Sequence, residues 1–181
     1  GCDCMETMTA ASLLFIMHAV VGVIDGFLLH DRKYALHTHA ESFTEHIAHT
    51  LRVAAMLPIA WLLFVVNSGG LLLWLAVVVV FTDLAVQIWD AYLEGSSRER
   101  FGGLSTLEYQ SHLLSTLFYG GALSLAFIAK PAAAWSTSSE VFLEPAHSTF
   151  VSGVGWVMFA GALLGIVHHL WYCHPKFREN S

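Results

Sequence analysis

Residues 45–64 read EHIAHTLRVAAMLPIAWLLF, and the reading of this stretch decides the fold. It opens on Glu45, His46, His49 and Arg52 and then turns apolar through Phe64. Glu45 and His49 stand four residues apart, so they share one helix face. A helix that starts polar and continues apolar enters a lipid-like medium from one side.

The whole chain agrees with that reading. It has 181 residues, of which 56% are hydrophobic and 12% charged. Soluble domains carry about 25% charged residues. A polar surface cannot be built from this composition, so the expected class is an all-α integral membrane protein. No basic tract of the kind that binds nucleic acid is present. Three cysteines make no disulfide framework, and Cys2 and Cys4 read as part of an unstructured end.

Five apolar segments are long enough to cross about 30 Å of hydrocarbon at about 1.5 Å per residue. They cover about 8–30, 50–66, 70–93, 111–128 and 150–171, in a single transmembrane domain spanning 1–181. The second is short, but Ala40, Phe43, Ile47 and Leu51 share a face, so its helix should begin near Thr38 and bend at Pro58. Asn67-Ser-Gly-Gly70 reads as a turn, and Gly95-Ser-Ser as the start of a loop. Trp61, Trp74, Trp89, Trp156 and Trp171 read as lipid or interface anchors.

Arg32, Lys33, Arg52, Arg98, Arg100, Lys176 and Arg178 fall on one side of this arrangement, and Lys130 on the other. The rule that basic residues collect in the cytoplasm places the amino terminus outside and the carboxyl terminus inside. The same topology gathers His30, His37, His39, His46, His49, His112, His168, His169 and His174 at the cytoplasmic face. Asp25, Glu41, Glu45, Asp90, Glu94 and Glu108 join them, and Asp83 lies deeper.

A self-comparison sets residues 45–64 against 108–127, EYQSHLLSTLFYGGALSLAF, with five identities including both members of each ExxxH pair. In the preceding spans, Asp25 stands against Asp90 and His18 against Asp83. The expected fold is therefore two parallel-repeated hairpins forming a four-helix bundle, with a fifth helix beside it. Ionisable groups inside a span are costly, about 2.5–3.5 kcal/mol each on insertion scales, so they should face inward and pair.

Asp25, Glu45, His46, His49, Asp83, Asp90, Glu108, His112, His168 and His169 are the candidate metal ligands. The arrangement is analogous to soluble di-metal bundles, in which carboxylates and Glu-x-x-His pairs from four helices hold two ions. Here the spacing is ExxxH and two of the carboxylates are Asp. Mixed His and carboxylate donors suit two divalent ions, iron first, with zinc or manganese as alternatives. His37 and His39 read as solvated interface residues, and His18 as a hydrogen-bonding partner of Asp83. One of His168 and His169 should face the bundle.

The expected function is a metal-dependent oxidoreductase acting on a hydrophobic or lipid substrate at the bilayer, served by a redox partner. A zinc hydrolase is the variant of that reading. Two alternatives come from other classes. One is a haem b anchor with histidine axial ligands. The other is a metal or proton transporter lined by His18, Asp83, Gln87 and Asp90.

Overall fold

The computed structural model describes residues 4–26, 43–99, 102–138, 142–146 and 148–174. His30, His37, His39, Glu41, His147 and the basic residues Arg32, Lys33, Arg100, Lys176 and Arg178 lie outside them. The described chain is almost entirely helical: α1 (Cys4–Val23), α2 (Phe43–Ala60), α3 (Leu71–Arg98), α4 (Thr106–Ile128) and α5 (Thr149–Tyr172). Five helices are long and apolar enough to cross a membrane, over Cys4–Gly26, Phe43–Val65, Leu71–Ser96, Thr106–Ile128 and Thr149–Tyr172. This fits a multi-pass membrane protein.

The expected boundaries shift in ways that matter for the site. Cys4 is helical, not part of a loose end, and its thiol donates to the Ala129 carbonyl at 2.9 Å. α3 does not stop before Gly95-Ser-Ser but continues to Arg98. An interior Gly costs about 1 kcal/mol relative to Ala. Here the extra turn carries Arg98 to two buried carboxylates, and that offsets the cost. The chain then reverses within a few residues. Gly102 and Gly103 have φ of 85° and 99°, which only glycine adopts without strain. Ser105 caps α4 by accepting from the Glu108 amide.

Asn67-Ser-Gly-Gly70 is not a simple turn. Residues Val66–Gly69 form β1, which pairs antiparallel with β2 (Phe142–Pro145), Val66 opposite Pro145 and Gly69 opposite Phe142. Pro58 lies within α2, and one turn later the helix widens into a π-helical turn, Trp61–Val65. Pro lacks an N–H, so the ladder is locally broken there. α5 crosses at this point through Gly155. A Cβ on that residue would lie 2.6 Å from the Val65 nitrogen.

The principal packing pairs are α1 with α4 and α2 with α3, with α5 against α2 and α1. The partners within each expected hairpin, α1 with α2 and α3 with α4, are thus not the principal pairs. Toward the end bearing β1 and β2, the Phe15 and Phe64 rings stack at 4.5 Å with Tyr119 beside them, and Lys130 is buried against Asn67 and Ser68 of β1. Outward-facing positions such as Val78, Phe81, Leu117, Val157 and Leu164 are exposed and apolar. The five tryptophans expected as anchors are exposed as well. The opposite end of the bundle holds most of the other buried ionisable groups.

Candidate functional site

At that end Arg98 is fully buried between two glutamates. It donates through both terminal nitrogens to Glu45, at 2.9 Å each, and through Nε to Glu108 Oε1 at 2.8 Å, with a second bond to Glu108 from Nη2. Glu45 and Glu108 are themselves buried. Burial pulls the Arg98 pKa down, but the hydrogen bonds and charges of Glu108 and Glu45 outweigh it and raise it. The glutamates of the two ExxxH helices are thus joined through a side chain of α3. What stands between their glutamates is a guanidinium, in place of the shared metal expected from the sequence.

Each histidine of the ExxxH pairs meets an aspartate from another helix. His49 Nε2 lies 3.1 Å from Asp90, and His112 Nε2 lies 2.9 Å from Asp25. These contacts follow the self-comparison, in which His49 matches His112 and Asp90 matches Asp25. Deeper in the bundle His18 does not reach Asp83. Its Nδ1 lies 2.9 Å from Ser115 Oγ, while Asp83 faces Arg52 at 3.6 Å and the Tyr119 hydroxyl. Ser115 and Arg52 are again matched positions.

Two more groups complete the picture. Arg52 also approaches Asp90 at 3.8 Å, and Glu94 meets His112 Nδ1 at 2.9 Å. In the sequence Arg52 and Arg98 count only toward the basic residues of one side, but both meet buried carboxylates. The signal was available in the spacing: Asp90, Glu94 and Arg98 stand at i, i+4 and i+8, and Glu45, His49 and Arg52 at i, i+4 and i+7. Ser111, which donates to Asp25 Oδ1 at 2.7 Å, carried no signal of its own.

The remaining candidates form a separate cluster. The His46 and His169 rings stack at 4.8 Å, His46 Nε2 donates to the His169 carbonyl at 3.0 Å, and Thr50 Oγ1 lies 3.2 Å from His169 Nδ1. Of the two adjacent histidines, His169 therefore faces the bundle, while His168 packs edge-on against Tyr172. Gln87 donates to Thr116 Oγ1 on α4 at 2.6 Å.

Among the described residues, one group brings metal-ligand atoms together: Glu45, His49 and Asp90, all within 4.8 Å of one another. Bonds of about 2.0–2.2 Å to a bound ion set neighbouring donors roughly 3–3.5 Å apart, so this triad must contract modestly to hold one. Arg98 orients Glu45 and Arg52 flanks Asp90, the kind of outer support that ligating carboxylates need. Asp25, Asp83, Glu108, His112, His46, His168 and His169 stand outside the group. Comparison with family models, with curated proteins and with solved structures gives no match.

Proposed function

We propose that this chain is an integral-membrane, metal-dependent oxidoreductase whose ion is held by Glu45, His49 and Asp90 at the cytoplasmic face. The observation that carries the reading is the convergence of these three donor types from two helices in a largely buried place. Charge supports it. Glu45, Asp83, Asp90 and Glu108 are four carboxylates facing two guanidiniums, Arg52 and Arg98. Negative charge is thus in excess here, and buried charge needs a counter-charge.

One imidazole and two carboxylates suit iron, manganese or zinc. Iron or manganese supplies redox chemistry, and zinc would instead supply hydrolysis. The surrounding helix faces are apolar, which favours a hydrophobic or lipid substrate and a partner that delivers electrons at the membrane surface. The matched contacts of the two halves favour an origin in two parallel hairpins.

The alternatives have less support. His49 and His112, the histidines the sequence offers as axial ligands, are each engaged by an aspartate, Asp90 at 3.1 Å and Asp25 at 2.9 Å. Of the residues that would line a transport path, His18 is tied to Ser115 and Gln87 to Thr116, while the Phe15 and Phe64 rings stack beside them.

Metal analysis and an absorption spectrum of the detergent-purified chain test the proposal. Bound transition metal that is lost in His49→Ala and Asp90→Asn is the expected result. A wild-type protein that stays metal-free after loading with iron, manganese or zinc would reject it.

A further inference from the structure

We infer that the two histidine–carboxylate groups, built on the matched pairs His49–Asp90 and His112–Asp25, take different cations: Glu45, His49 and Asp90 the metal ion, and Asp25, Glu94 and His112 a proton carried on His112. The chain then binds one ion, not two. The first half of this inference rests on the metal reading above, and the second half on the geometry around His112.

His112 has a carboxylate against each ring nitrogen, Asp25 Oδ2 at Nε2 and Glu94 Oε1 at Nδ1, both at 2.9 Å. A neutral imidazole has one N–H and one bare lone pair. A bare lone pair facing a carboxylate oxygen is repulsive, so two such contacts call for two N–H groups, the imidazolium. To ligate a metal, the ring would have to give up a proton and one of these charge-assisted bonds, which are the strong ones. The other oxygen of Asp25 is also engaged, by the Ser111 hydroxyl.

The first half lacks the groups that hold this proton. In the self-comparison Ser111 matches Ala48 and Glu94 matches Leu29, so neither the hydroxyl nor the extra carboxylate has a polar counterpart. Arg52, which flanks Asp90, matches Ser115. On the Glu45, His49 and Asp90 side the cations beside the carboxylates are Arg98 and Arg52, and on the Asp25 and Glu94 side the cation is the His112 ring held between them.

Two measurements on the full chain in detergent test this. The first is the metal content per chain after loading with excess ferrous or zinc ion and desalting. The second is 15N NMR of histidine-labelled protein at about pH 7, with His112 assigned through His112→Gln. One ion per chain is expected in wild type and in His112→Gln, none in His49→Gln, and both His112 nitrogens protonated. Should His112→Gln fail to fold, Ser111→Ala replaces it in the metal measurement and is expected to keep the ion. Two ions per chain, loss of the ion in either variant, or a bare nitrogen on His112 overturns the inference while leaving the metal reading standing. A metal-free wild type overturns both.

Discussion

Arg98 binds both carboxylate oxygens of Glu45, from helices that the chain joins only after a full passage across the bundle and back. The fork geometry of guanidinium on carboxylate fixes distance and angle together. With Glu108 on its other side, Arg98 ties the start of α2, the end of α3 and the start of α4 at one point.

Removing that tie should be costly. Arg98→Ala leaves two buried carboxylates without their cation, which costs about 3–5 kcal/mol in comparable cases. Arg98→Lys should recover part of this, since an ammonium supplies charge but no fork. Replacing Glu45, Arg98 and Glu108 together by Met or Leu should restore most of the stability and still abolish metal binding. Unfolding in detergent, followed by circular dichroism, with metal content measured in parallel, checks all three.

Gly155 should tolerate no side chain. A Cβ there meets the Val65 nitrogen at 2.6 Å and the Phe64 backbone carbon at 2.8 Å, and backbone cannot swing aside. Gly155→Ala is expected to lose about 1–3 kcal/mol, the usual range for overpacking. Gly153→Ala, whose Cβ meets nothing within 4 Å, should be neutral or slightly stabilising. Thermal midpoints of the two variants should fall on opposite sides of this contrast.

Lys130 should give the protein a rising alkaline limb. It is buried at the far end of α4, donating to Asn67 Oδ1 at 2.8 Å and the Ser68 carbonyl at 3.0 Å. Burial lowers its pKa from 10.5 to about 8, with the neighbouring Cys4 opposing the shift. Between those values the unfolded chain keeps a proton that the folded chain has released, so stability rises with pH. The contribution is complete above about 10.5 and is lost as pH falls to about 8. Melting curves of wild type and Lys130→Met should diverge in that window, with the slope present only in wild type.

His46→Ala should leave metal content unchanged. His46 stacks on His169 and stands outside the Glu45, His49 and Asp90 group. Loss of one ring contact and one hydrogen bond should cost about 1–2 kcal/mol. Metal content that falls as far as in His49→Ala would place His46 among the ligands.

The five membrane-length helices were legible because a run of about 20 apolar residues has few other uses. The pairings of His49 with Asp90 and His112 with Asp25 were foreshadowed by spacing, since each residue was placed on an inward face at a shared depth. Arg52 and Arg98 were not recognised, for a physical reason. Hydropathy locates a charge along the chain but says nothing about partners on other helices, and Gly95-Ser-Ser looks like a loop until Arg98 has its carboxylates. The β1–β2 pairing was hidden similarly. Its register depends on contacts between segments about 75 residues apart, and neither segment alternates strongly enough to announce a strand.

That small sheet gives the two ends of the bundle different kinds of cohesion. Around it, backbone pairs, the Gly70 amide on the Ala134 carbonyl and the Trp74 indole on the Trp135 carbonyl stitch two loops into a rim. Apart from the Lys130 ammonium on Asn67 and Ser68, these bonds are largely indifferent to ionic surroundings. The opposite end is fastened by guanidiniums, imidazoles and carboxylates, whose grip depends on protons and counter-ions. The molecule is thus built like a clothes-peg with a fixed spring and jaws that respond to solution chemistry. Acid, salt or chelator should splay the helices from the ionisable end while the rim stays closed.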